Sequence, residues 1–179
     1  MDYPYDLGGY SRKVSTGSTE AQLWFDRGLN WCFGYHHEEA IGCFEKALAA
    51  DPNCAMAHWG IAYAVGPNYN FPWELQDEAT KAASLARAYD ASQAALGLVG
   101  GVTAPERALI EALTARFPQR TPIEDQRPWN DAFADAMRRA YRKHLGDLDV
   151  RCVFVEAILN RTPWKMWDLR TGEPAEGAG

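Results

Sequence analysis

Residues 24–52, "WFDRGLNWCFGYHHEEAIGCFEKALAADP", place small and aromatic residues at helical spacing on both sides of a turn at Gly34. Recurrence of apolar residues three and four positions apart is typical of amphipathic helices. Gly28 and Ala40 are small enough to let two antiparallel helices approach closely, and Pro52 ends the second helix because proline cannot extend it. The stretch therefore predicts a helical hairpin.

The spacing within this hairpin resembles that of a tetratricopeptide (TPR) unit, which repeats with a period of about 34 residues. Only Arg27 departs from the pattern, at a position where leucine is usual. The residues that stand in register are Trp24, Gly28, Trp31, Ala40, Phe44, Ala47 and Pro52. One period later, the residues that follow Ala21, Trp24, Gly28 and Trp31 are Ala55, His58, Ala62 and Val65.

The resemblance implies an all-α fold, a right-handed α-solenoid of TPR-type hairpins with about seven helices. Segment 55–70, "AMAHWGIAYAVGPNYN", is also similar to the N-terminal part of longer, uncharacterised bacterial TPR proteins, which implies no established activity. We predict an N-terminal extension at 1–19, a TPR-like domain at 20–167 and a disordered tail at 168–179. The predicted helices span residues 20–33, 37–50, 54–65, 76–96, 103–117, 129–145 and 148–161.

Composition limits the classes of function. The chain has 179 residues, of which 47% are hydrophobic and 23% charged, and a net charge of −6. An acidic balance argues against a nucleic-acid partner. No window approaches the roughly 20 apolar residues of a membrane span, and no secretory leader is evident. The four cysteines do not suggest a disulfide framework, so we expect a cytoplasmic protein with reduced thiols.

In TPR proteins the first helix of each hairpin faces a concave groove, and here the matching positions are aromatic and nearly uncharged. We therefore predict a module that binds a peptide or a partner protein in this groove. Because Arg27 and Asn30 are its only nearby polar candidates, a clamp for a peptide carboxylate is weakly supported. The alternative is that the extra helix and the 66–75 insertion fill the groove from within. The predicted site comprises Phe25, Arg27, Leu29, Asn30, Cys32, Phe33, Met56, Trp59, Tyr63, Asn68, Tyr69 and Asn70.

The last three of these residues belong to the insertion "GPNYNFPWEL" at 66–75. Long loops often carry function, and asparagine and tyrosine suit ligand contact. The other interpretation, which we favour, is a rigid turn fixed by Pro67 and Pro72.

A second hypothesis is a small-molecule or soft-metal protein in which thiol, thioether and imidazole groups bind copper or zinc. None of the strong metal spacings is present, and His37 is expected to pack in the hairpin turn while His36 is solvated. No catalytic fingerprint appears, so the sequence predicts a binding protein without a cofactor rather than an enzyme. A nucleophile–base pair of Cys32 and His58 stays open. The candidate metal ligands are Cys32, Cys54, Met56 and His58.

The last predicted helix has no partner helix in the chain. A repeat buries its apolar face only against its neighbours. We therefore expect this end to form a homo-oligomer, to fold back, or to continue into further repeats. Its apolar residues are Val150, Val153, Phe154, Ile158 and Leu159.

Overall fold

The computed structural model describes residues 3–175, which form helices joined by turns and loops. Within this range there is no β-strand, only two isolated β-bridges, so the prediction of an all-α fold is confirmed. Single-turn 3₁₀ helices at Trp73–Leu75 and Val99–Gly101 flank the longest helix. The α-helices are α1 (Thr19–Phe33), α2 (His37–Ala50), α3 (Ala55–Val65), α4 (Glu78–Gly97), α5 (Ala104–Thr114), α6 (Arg127–Lys143) and α7 (Leu148–Leu159).

Each helix packs on the next one along the chain. Helices α1 and α2, α3 and α4, and α5 and α6 pair as hairpins, and α7 packs on α6. The first helices of successive hairpins also touch, because α1 contacts α3 and α3 contacts α5. Neighbouring hairpins are thus packed against one another.

The centre of the first two hairpins is organised around Phe44, which is fully buried. A Cβ atom added to Gly28 of α1 would lie 2.6 Å from its ring, and one added to Gly60 of α3 would lie 2.7 Å away. The ring therefore occupies the space that two missing side chains leave. Phe25 completes this contact, with ring centroids 5.6 Å apart.

Short polar side chains begin several helices. Ser18 accepts a hydrogen bond from the backbone N–H of Ala21 at 3.1 Å, which confirms the helix start predicted after "STGST". Asp147 caps α7 in the same way, accepting from the N–H of Val150 at 3.0 Å. Such caps satisfy backbone donors that the first turn leaves free.

Residues 10–16, here called the N-terminal strap, lie along α1 and reach both α5 and α7. Ser15 donates to the buried Glu106 of α5 through its N–H and its hydroxyl, at 2.7 and 2.6 Å. Tyr10 donates to Asp149 of α7 at 2.6 Å. Val14 belongs to the hydrophobic core. The predicted N-terminal extension is thus bound to the helices over this stretch.

Helix α7, which has no partner helix of its own, buries much of its apolar surface against the rest of the chain. Val150, Val153 and Ala157 are buried, and the Phe154 ring stacks on Tyr141 of α6 with centroids 5.0 Å apart. Leu148 and Val155 stay exposed. Self-association therefore stays a prediction that depends on a smaller apolar surface than the sequence indicated.

The segment after α7 turns back on itself. An isolated bridge pairs Trp167 with Pro174, and the N–H of Asp168 donates to the carbonyl of Glu173 at 2.9 Å. These contacts fall inside the predicted disordered tail, whose residues 176–179 lie outside the described range.

Candidate functional site

Most of the predicted groove is interior rather than open surface. Phe25, Leu29, Met56 and Trp59 are 0%, 1%, 1% and 2% exposed, so the expectation that their side chains line an open groove is corrected. They belong to one hydrophobic core with Val14 of the strap.

The strap follows the face of α1 that was expected to be concave. Gln22 Oε1 accepts from the N–H of Val14 at 2.9 Å, and Asp26 Oδ1 accepts from the N–H of Arg12 at 3.0 Å. Asn30 Nδ2 donates to the carbonyl of Tyr10 at 3.0 Å. The N-terminal strap therefore covers this face of α1, while Trp73 of the insertion and Val153 of α7 belong to the same hydrophobic core.

The two candidates for a carboxylate clamp are engaged elsewhere. The guanidinium of Arg27 lies 4.0 Å from the ring centroid of Tyr3 and 4.5 Å from that of Trp24. Asn30 is held by the strap and by the carbonyl of Asp26 at 2.8 Å. Asn30 therefore has no free donor for a peptide carboxylate, whereas ring stacking leaves the N–H groups of Arg27 without a hydrogen-bond partner within residues 3–175.

Three of the predicted residues do meet at an open cavity, the end pocket. This pocket of about 330 Å³ lies between the C-terminal turns of α1 and α3, the turn that follows α1 and one face of α7, and its surface is mostly apolar. Trp59 lies behind the lining residue Tyr63, because the two rings stack with centroids 5.0 Å apart. The lining residues are Cys32, Phe33, Tyr35, His37, Tyr63, Arg151, Cys152, Val155, Glu156 and Leu159.

Glu156 brings a carboxylate into this apolar wall. Its Oε1 accepts a hydrogen bond from Asn160 Nδ2 at 3.3 Å. Burial raises the pKa of Glu156 to about 7, although the hydrogen bond from Asn160 acts in the opposite direction. The group therefore changes its charge near neutral pH.

Cys32, the thiol that was predicted to have a chemical role, is buried in the pocket wall. Burial and the nearby Glu156 raise the pKa of its thiol. A nucleophilic cysteine needs the opposite shift, toward the thiolate. The proposed base, His58, is hydrogen-bonded through Nε2 to the carbonyl of Pro52 at 3.1 Å. This environment gives the nucleophile–base hypothesis no support.

The histidines of the first turn behave as the sequence predicts. His37 Nδ1 contacts the carbonyl of Ala64 at 3.1 Å, so this nitrogen carries the proton. Burial lowers the pKa of His37, which keeps the ring neutral. His36 is exposed and accepts from the N–H of Glu39 at 3.4 Å.

The candidate ligands of the soft-metal alternative do not come together in one site. Within residues 3–175 no three histidine, cysteine, aspartate or glutamate side chains are grouped so as to hold a metal ion. Cys32, Cys54 and His58 would have formed such a group, and Met56 lies in the core. The reason is that Cys32 lies in the last turn of α1, whereas Cys54 and His58 lie at the start of α3.

The insertion is a tight turn away from the end pocket. Asn68 pairs with Phe71 in an isolated bridge, and its Oδ1 accepts from the N–H groups of Asn70 and Phe71 at 2.9 and 3.0 Å. Tyr69 packs on Trp164, with centroids 5.4 Å apart. None of these three predicted site residues lines the end pocket.

The α7 side of the pocket escaped the sequence reasoning. Cys152, Val155 and Glu156 line it together with Leu159. A signal was available, because the TPR resemblance predicts that the last, unpaired helix opens a further hairpin and therefore faces the groove. The groove positions were transferred to the first two hairpins only.

A comparison with protein-family models, curated proteins and solved structures found no match, so the function proposed below depends on the pocket geometry. Among the helices of residues 3–175, none combines the length and the apolar character needed to cross a membrane.

Proposed function

We propose that the protein is a TPR-type interaction module whose end pocket holds a side chain of a partner peptide. The observation that carries the proposal is the apolar cavity of about 330 Å³ that the ends of α1 and α3 and one face of α7 line. This volume is at the lower end for ligand pockets and suits one or two side chains better than a whole helix. The proposal takes the hairpins to form a right-handed superhelix in a cytoplasmic protein, as the resemblance implies.

The backbone at the pocket mouth supports a binding role. Tyr35 has φ of 61°, a left-handed conformation that favours glycine. A tyrosine there costs conformational energy, yet its ring lines the pocket beside His37, with centroids 6.0 Å apart. Strained residues of this kind cluster at ligand sites.

A peptide is preferred to a free small molecule because the pocket opens at the protein surface. Tyr35, Cys152 and Val155 line it and are exposed, so a chain lying outside can insert one side chain. A small apolar ligand is the second candidate, since the same volume would enclose it.

The test fills the pocket without disturbing the core. Val155 lines the pocket and is 55% exposed, so Val155→Trp should occupy the cavity while the helix stays folded. Peptides selected from a random display library against the wild-type protein should bind this variant about tenfold more weakly or worse. Affinities would be measured by fluorescence anisotropy.

Leu148→Trp is the matched control, because Leu148 is also exposed on α7 and does not line the pocket. It should bind the selected peptides within about twofold of the wild-type protein. Equal binding by the Val155→Trp variant would contradict the proposal, and a library that yields only pocket-independent peptides would favour the small-molecule alternative.

A further inference from the structure

The end pocket lies beside helix ends that carry partial negative charge. Phe33 and Tyr63 lie in the last turns of α1 and α3, and Glu156 lies in the last turn of α7, which lines the cavity along one face. A helix C-terminus carries partial negative charge from its free carbonyls. The N-terminus of α2, which begins at His37, carries the opposite partial charge. The ring N–H of His37 also contacts the carbonyl of Ala64.

Glu156 adds a carboxylate near the C-terminus of α7, the helix end at which a negative charge is least favourable. Oε1 is bound by Asn160, whereas Oε2 has no hydrogen-bond partner within residues 3–175. No basic side chain of that range forms a salt bridge with Glu156 either. Glu156 is half-buried in an apolar wall, so its carboxylate is incompletely solvated and a cation placed against Oε2 would be attracted to it.

The remaining polar groups of the pocket do not supply that cation. Arg151 is exposed, and its Nε donates instead to the carbonyl of Leu145 at 2.7 Å. His37 is kept neutral because burial lowers its pKa. Burial raises the pKa of the other lining groups that can become anionic, so they are uncharged at neutral pH. These are Cys32, Tyr35 and Cys152.

We propose that the pocket binds a lysine side chain of the partner peptide, with its ammonium group on Glu156 Oε2. This inference rests on the proposed function. The four methylenes of lysine would pack against the apolar wall, and its charged head would meet the carboxylate. The faces of Phe33 and Tyr63 would add cation–π attraction. Lysine fits better than arginine, because an ammonium group can approach Oε2 alone, whereas a bidentate guanidinium would have to share Oε1 with Asn160.

The experiment compares probes that differ only at the head of the side chain. Nα-acetyl-lysine methylamide and its norleucine analogue would be titrated into ¹⁵N-labelled protein, with binding followed by amide chemical shifts. At pH 8 the lysine probe should bind about tenfold more tightly than norleucine, with the shifts centred on the pocket. At pH 6 Glu156 is largely protonated, because its pKa is about 7, so this preference should shrink.

Glu156→Gln should abolish the preference for lysine over norleucine at both pH values. Glu111→Gln is the matched control, an exposed glutamate of α5 outside the pocket, and it should retain the preference. Shifts at the Asn160 side-chain amide would report directly on the carboxylate.

Equal binding of lysine and norleucine at the pocket would overturn the lysine inference and leave the proposed function standing. A lysine preference that persists in Glu156→Gln would overturn it too. Tighter binding of n-butylamine than of the lysine probe would contradict a peptide lysine and would indicate that the pocket binds a free amine. Pocket signals that respond to no probe would overturn both the inference and the proposed function.

Discussion

At the scale of single residues, the packing of the first two hairpins depends on two glycines, which have no side chain. The Phe44 ring fits between Gly28 and Gly60, where any Cβ would come within 2.7 Å of it. Protein interiors are close-packed, so a fully buried ring cannot shift cheaply to admit even one methyl group.

Gly28→Ala and Gly60→Ala should therefore each lower the free energy of unfolding by about 1–3 kcal/mol, measured by urea denaturation. Gly42→Ala is the control within the same hairpin, since nothing lies within 4 Å of its added Cβ. That change should stabilise the helix by about 1 kcal/mol, because alanine is the better helix former. If Gly28→Ala stabilised the protein as Gly42→Ala does, the described packing of Phe44 would be wrong.

Sequence reasoning predicted part of this residue-level picture. Gly28, Ala40 and Phe44 were identified as packing residues because their sizes follow the repeat register. Arg116 could not be found in this way, because arginine is normally a surface residue. It is 0% exposed, its guanidinium lies 5.0 Å from the Phe133 ring centroid, and burial lowers its pKa to about 9.

At the scale of elements, the N-terminal strap is joined to the start of α7 by a buried ion cluster. Arg12 Nη1 lies 2.8 Å from Asp147 Oδ1 and 2.6 Å from Asp149 Oδ2. The three side chains are 9%, 17% and 6% exposed. Removing one partner of a buried pair leaves an uncompensated charge in a poorly solvated place.

Arg12→Ala should thus lower the free energy of unfolding by about 3 kcal/mol at pH 7, measured by urea denaturation. Arg120→Ala is the matched control, because Arg120 pairs with Asp90 on the surface, where solvent screens the pair, and its loss should be much smaller. Similar losses in the two variants would contradict a buried role for Arg12.

The contribution of Arg12 also has a defined pH dependence. Burial alone would raise the pKa of Asp147, but the hydrogen bond from Arg12 holds it below its usual value. A carboxylate with a lowered pKa stabilises the fold above its unfolded pKa and loses that contribution as pH falls through the folded value. The difference between wild type and Arg12→Ala should accordingly shrink in acid.

The strap could not be predicted from sequence, whereas the helices could. Helices can be recognised in a sequence by periodic apolar residues and by caps such as Ser18. The strap has neither, and its position depends on contacts with residues far along the chain, such as Glu106 and Asp149. Its single buried apolar residue, Val14, is too weak a signal to reveal that it fills the groove.

At the scale of the whole molecule, the hairpins and the strap together bring α7 close to the end of α1. Cys32 and Glu156, which are far apart in sequence, consequently line one cavity. The sequence identified Cys32, Phe33 and Tyr63, because they occupy groove positions of the first two hairpins. Their meeting with α7 depends on the path of the whole chain, and local periodicity does not encode that path.

The central claim is that partner peptides bind at this cavity between α1, α3 and α7. Amide chemical-shift mapping with a library-selected peptide tests it most directly. The largest shifts are predicted at Cys32, Tyr63 and Glu156 and at their neighbours on the three helix ends. Largest shifts on α4 or at the turn around Asn68, with the end pocket unchanged, would contradict the account.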